Sequence, residues 1–197
     1  MNQEQVNELL LQALETEMGG VEIYQAAIKC AQNEDLKEEW TKYLEQTTHH
    51  VEVVQGLLGV FGIDPGTMTP GRDVVHHMGT SLVAAMEMAM AKGTPEAAQL
   101  VAAEAVTLAE TKDHLNWELM GQVAEHMKGE QGKALQEAYK EVEGQEDVHL
   151  YHTPGWGREL WIESLGMKAV LPPPEEQKDV KTAIGAARAA HEREKMA

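Results

Sequence analysis

The 197-residue sequence predicts an all-α fold, a four-helix bundle of two antiparallel hairpins joined by a long crossover with a short extra helix. Three observations predict it. No proline precedes Pro65, and no run of Val, Ile, Thr and aromatic residues reads as a strand. Capping patterns stand ahead of the long segments. Apolar residues recur at alternating steps of four and three along four segments, the spacing that holds one helix face. The length suits one domain with appendages.

Asn2, with Gln5 three residues on, caps a first helix over about 3–31, and Asp35 with Glu38 forms a capping-box pattern for a second over about 36–61. Gly62–Gly79, with Pro65, Gly66, Pro70 and Gly71, reads as a long connection. A short Met- and Ala-rich helix follows at Thr80–Lys92, so the crossover and its helix occupy 62–93. Thr94-Pro95-Glu96 sets a cap residue before a proline at the first helical position, and a third long helix runs from there to about Lys128, where Gly129 stops it. The fourth covers about 131–152 and ends ahead of Pro154, closing a bundle domain at 1–153. Residues 154–171 hold Trp156 and Trp161 and read as an extension packed on the bundle. Pro172-Pro173-Pro174 opens a charged tail, 172–197, read as a detachable arm with a helix near Ala183–Lys195.

Charge narrows the partners. Asp and Glu number 33 against 16 Lys and Arg, a net charge of −17. The tail's acids and bases balance, so the whole excess belongs to residues 1–171. That balance disfavours nucleic acid and anionic membrane surfaces, both of which reward basic patches. A hydrophobic content of 43% is too high for a disordered acidic chain. The single cysteine, Cys30, excludes an internal disulfide and any multi-cysteine zinc or iron–sulfur site. With no signal-peptide pattern and no apolar run long enough to span a membrane, the expectation is a soluble, cytoplasmic protein.

Ionisable groups interrupt each apolar stripe at mid-length. The first helix presents Ala13, Glu17, Gly20 and Tyr24 on one face, and the second Tyr43, Thr47, His50 and Val54. The third presents Thr107, Glu110, His114 and Trp117, and the fourth Val142, Glu146 and His149. Three glutamates and three histidines thus point inward from four helices. If the first hairpin turns near residue 33 or 34, Glu17 and His50 lie level with each other. A second turn at Gly129–Glu130 sets Glu110 against His149 and His114 against Glu146. Buried carboxylates pair, protonate or coordinate a metal. Two divalent cations bridged by carboxylates fit the donor set, and oxygen with imidazole suits iron or manganese, with zinc less favoured. The other reading is a metal-free bundle serving as an oligomerisation or interaction module, its Glu–His pairs structural.

Glu17 with Tyr24 seven residues on, Glu110 with Trp117 seven residues on, and Glu146-Asp147-Val148-His149 make residues 1–152 resemble the ferritin-like superfamily of ferritins, rubrerythrins and manganese catalases. On the second helix the family carries Glu-x-x-His. This chain has Thr47-Thr48-His49-His50, so Thr47 stands where the bridging glutamate belongs. The resemblance implies a di-iron or di-manganese centre and ferroxidase-, peroxidase- or catalase-like chemistry, with ferrous iron or a small oxidant (oxygen or peroxide) as substrate. Glu17, His50, Glu110, Glu146 and His149 are the metal ligands on this reading, with His114 and Asp113 as further members and Tyr24, Thr47 and Trp117 packed beside them. A homodimer is expected, with the Met-rich helix as a candidate contact.

Several residues are set aside. His49 lies off the stripe and shares a solvated face with Glu45 and Glu52. His152 sits near the helix end, beside the site or in solvent. His76 and His77 read as loop residues, Met86, Met88 and Met90 as core or subunit contacts, and Cys30 as a small buried hydrophobe.

Overall fold

The computed structural model describes residues 1–197 and is all-helical, without strands. Helix α1 (Gln3–Cys30) begins where the Asn2 side chain accepts the Glu4 and Gln5 N–H groups. Helix α2 (Glu34–Phe61) is capped by Asn33, two residues ahead of the expected Asp35, and ends on Gly62. Then come α3 (Pro70–Lys92), α4 (Pro95–His126) and α5 (Gly129–Ser164). Two short helices, α6 (Pro174–Gln177) and α7 (Ala183–Glu192), and a 3-10 turn at Arg193–Lys195 complete the chain. No helix is long and apolar enough to cross a membrane.

Side-chain bonds fix the helix directions. Gln99, near the start of α4, accepts the Gln32 and Asn33 N–H groups at the α1–α2 turn. Asn116, further along α4, donates to Thr16. Helix α4 therefore runs antiparallel to α1. The contacts Gln46–His149 and His50–Gln145 likewise set α2 antiparallel to α5. The short α1–α2 and α4–α5 turns make the remaining neighbours antiparallel, and α3 runs along the outside of α1 and α4.

Burial divides the interior into two apolar clusters. One, nearer the α1–α2 turn, contains Tyr24, Trp40, Val106 and Trp156, and the other contains Leu10, Leu14, Val54 and Leu135. Between them lies a polar layer of Glu17, His50, Glu110, Asp113, Glu146 and His149, all buried.

Three boundaries differ from expectation. The crossover is helical from Pro70, not from Thr80. Thr69 caps this helix by accepting the Arg72 N–H, and Pro70 occupies the first helical position, where its missing donor costs nothing. His76 and His77 are therefore helical. His76 Nδ1 meets Glu15 Oε1 at 2.8 Å, and the same carboxylate accepts from Arg72 Nε at 2.7 Å.

The fourth long helix does not end before Pro154 but continues to Ser164, and the 154–171 extension is mostly this continuation. An interior proline costs about 3 kcal/mol. Here Pro154 faces solvent, while Trp156 and Leu160 beyond it are buried. Burying such side chains contributes about 1.5–3 kcal/mol each, which outweighs the break.

The tail is not a detachable arm. Arg158 donates to both oxygens of the buried Glu175, at 2.7 and 2.8 Å, and Arg193 donates to Glu159 at 2.7 Å. His152 is neither solvated nor in the polar layer, because its Nε2 donates to the Val180 carbonyl beneath the tail. A side chain at Gly155 would place its Cβ 2.6 Å from Glu175 Oε2, so only glycine admits the tail this closely. Met86 and Cys30 are core residues, whereas Met88 and Met90 are exposed.

Glu175→Ala removes both charged hydrogen bonds from Arg158. At about 1.5–3 kcal/mol for bonds to charged groups, it should lower the melting temperature by about 3–12 °C. Calorimetry showing an unchanged midpoint would mean that the tail does not hold the bundle.

Candidate metal centre

Each mid-helix stripe delivers its polar side chain into the same layer. His50 Nδ1 lies 3.6 Å from Glu17 Oε2 and 3.0 Å from Glu146 Oε1, without hydrogen-bond alignment. His149 Nδ1 lies 3.4 Å from Glu110 Oε2 and 3.6 Å from Glu146 Oε1. Two sets of three potential ligands result, Glu17–His50–Glu146 and Glu110–Glu146–His149, each with its donor atoms within 4.8 Å of one another. Glu146 belongs to both.

The surroundings are built twice. Trp117 Nε1 donates to Glu17 Oε1 at 2.6 Å, and Tyr24 Oη donates to Glu110 Oε1 at 2.7 Å. Trp117 stands seven residues after Glu110, and Tyr24 seven after Glu17, so each α1 or α4 helix orients the other's carboxylate. The histidines are held the same way. Gln145, four residues before His149, contacts His50 Nε2 at 3.0 Å, and Gln46, four before His50, contacts His149 Nε2 at 2.9 Å. With each glutamine Oε1 accepting, Nε2 carries a proton and Nδ1 faces the layer, as a lone pair whenever the imidazole is neutral. The paired glutamines escaped the sequence reading. Their signal was available: a Gln four residues before an inward His, on both α2 and α5.

The correspondence breaks at Thr47 and at Asp113. Thr47 occupies on α2 the position that Glu146 holds on α5, three residues before the histidine. It is buried, and a Cβ at Gly20 would come within 3.0 Å of its Cγ2, so the glycine lets α1 and α2 close over it. Asp113, three residues after Glu110, is buried with Oδ1 unpartnered and lies outside both three-residue sets. His114 does not face Glu146. It is partly exposed, with Nε2 3.0 Å from Asp147 Oδ1, because Asp113 takes the inward face one residue earlier. His49 bonds the exposed Glu141, and Glu52 is exposed, both away from the layer.

Electrostatics show what the layer lacks. Seven buried atoms have no hydrogen-bond partner: Glu17 Oε2, His50 Nδ1, Glu110 Oε2, Asp113 Oδ1, both Glu146 oxygens and His149 Nδ1. Burial lifts Glu17 to about 7 against the opposing pull of His50. For His50 burial acts downward, but Glu146 and Glu17 outweigh it and raise the imidazole to about 10. Burial, reinforced by Glu17, Glu146 and Glu110, pushes Asp113 well above the usual carboxylate range. The layer retains protons because burial disfavours ionised Glu17 and Asp113, and because Glu146 and Glu17 hold the proton of His50. The lone pairs that face inward fit a divalent cation equally well.

Comparison of the chain with known protein families, with curated proteins and with solved structures gives no match.

A pH dependence follows for the chelator-treated protein. Glu17 and His50 both hold protons in the folded state beyond their ordinary ranges, so the folded chain binds more protons than the unfolded one. Their stabilising contribution is fully present at low pH. It declines as pH rises, through about 7 for Glu17 and about 10 for His50. Melting temperature should therefore fall between pH 6 and 10, and His50→Gln should flatten the upper part of the decline. A variant with an undiminished decline would remove His50 as its source.

Proposed function

We propose that the chain is a ferritin-like metal protein whose bundle core would hold two divalent cations, with Glu146 common to both ligand sets, acting on oxygen, peroxide or ferrous iron. The observation that carries this reading is the Glu146 carboxylate, buried with neither oxygen hydrogen-bonded, between two Glu–His pairs. The donor set fits iron or manganese, since carboxylate oxygens with one imidazole per position match those ions. Four carboxylates, Glu17, Glu110, Asp113 and Glu146, balance the charge of two divalent ions. The bound metal would supply the Lewis acid and redox centre.

The chain's own residues do the rest. Trp117 and Tyr24 each occupy one oxygen of a terminal glutamate and leave the other facing inward. Gln145 and Gln46 fix the imidazole tautomer, and the apolar clusters on either side exclude water. A metal-free module would have to satisfy the same atoms with protons alone, holding Glu17 and His50 protonated beyond their ordinary ranges.

Protein purified without chelator should carry about two transition-metal ions per chain by elemental analysis. Glu146→Ala and His149→Ala should each lose most of that metal, and His49→Ala should retain it, because His49 bonds Glu141 on the surface. Metal absent from the parent protein, or unchanged in both ligand variants, would overturn the proposal.

A further inference from the structure

The two-metal reading raises the question of how a charged substrate reaches a layer closed at both ends by apolar clusters. A cavity of about 210 Å³ opens between α4 and α5, and its lining descends from the surface to Glu146. Glu118 and Glu143 are exposed at its mouth. His114 and Asp147, at 21% and 26% side-chain exposure, stand part-way down. Trp117 and Glu146, each 1% exposed, form its floor. The volume accommodates several waters, so a cation can pass while still partly hydrated.

The acidic lining alone would mean little in a chain of net charge −17. What gives it direction is the floor, where Glu146 is buried with neither oxygen hydrogen-bonded and Oε1 3.0 Å from the His50 imidazole. The corresponding flank of the bundle lacks the feature. The spacing that matches Glu17 to Glu110 and His50 to His149 matches His114 to Val21, Glu118 to Gln25, Glu143 to Leu44 and Asp147 to Thr48. These four positions and Glu146, the acidic and histidine lining of the cavity, are all replaced by non-ionisable residues on the Thr47 side. Charge leads to the buried layer on the side where Glu146 stands, and at the matching positions on the Thr47 side neither these charges nor the carboxylate recur.

We infer that the α4–α5 cavity is a one-sided uptake path for divalent cations, in which Glu118 and Glu143 gather the ion, His114 and Asp147 exchange its water for protein ligands, and Glu146 receives it. This inference rests on the two-metal reading and adds to it a cationic substrate or cargo that enters by one face. Clefts lined by one sign of charge raise local counter-ion concentration and on-rates, and the gain falls steeply with ionic strength.

The test is stopped-flow uptake of cobalt(II) by the chelator-treated full chain, followed by the visible absorption of the bound ion. Three proteins are compared: the parent, a Glu118→Gln/Glu143→Gln variant, and a Glu38→Gln/Glu45→Gln control that removes two exposed charges from α2. The path predicts that the mouth variant loads roughly tenfold more slowly at low salt, with a weaker salt dependence, while the control loads at the parent rate. His114→Ala should also slow loading. Equal rates in all three proteins, or equal slowing in variant and control, would overturn the path while leaving the metal centre standing. A parent protein that takes up no cobalt would overturn the metal centre, and the path with it.

Discussion

Four carboxylates buried in one layer are the constraint around which this bundle is organised. Glu17, Glu110, Asp113 and Glu146 come from three helices and converge with two imidazoles. Two like charges about 4 Å apart repel by about 4 kcal/mol at the dielectric typical of partly buried sites, so the layer is stable only with a positive charge among them. Protons can supply it, which is why His50 is lifted to about 10 against the effect of its own burial. A metal ion can supply it too, using the same lone pairs. The chain thus has one electrostatic problem with two solutions, and a bound cation would draw on the groups whose protonation stabilises the fold.

The rest of the fold holds that layer in place. Apolar clusters on either side keep water out, and crossed donors from Trp117, Tyr24, Gln145 and Gln46 set the orientation of each ligand. Outside the bundle, α3 is fastened to α1 through Arg72, His76 and the shared Glu15, and the C-terminal segment closes over α5 through Arg158 and Glu175. The near-duplication of the site is interrupted at Thr47, opposite Glu146, and at Asp113, whose counterpart on α1 is Gly20. Those two positions and the polar cavity beside Glu146 give the centre two unlike sides.

Much of this was legible in the sequence because helical periodicity and burial of charge are local and strong signals. The stripes placed Glu17, His50, Glu110, Glu146 and His149 at one level, and these are the five residues that the structure groups. His114 was misplaced because positions three and four residues apart both fall near one face. The stripe selected His114, while the packing turned Asp113 inward. Pro154 and the Pro70-Gly71 pair misled for a different reason. Proline and glycine weaken helices locally, yet Trp156 and Leu160 beyond one proline, and the Thr69 cap ahead of the other, decide the outcome. The docked tail was invisible because its anchors are charged: Arg158–Glu175 and Arg193–Glu159 form no apolar stripe.

The most direct test of the central claim is a crystal structure of the full chain loaded with manganese(II) or iron(II), with anomalous scattering recorded at the metal edge. Two peaks about 3.5–4 Å apart should flank the Glu146 carboxylate, one beside Glu17 and His50 and the other beside Glu110 and His149. A layer without anomalous density at full loading, with Glu146 closed onto the His50 imidazole, would contradict the account.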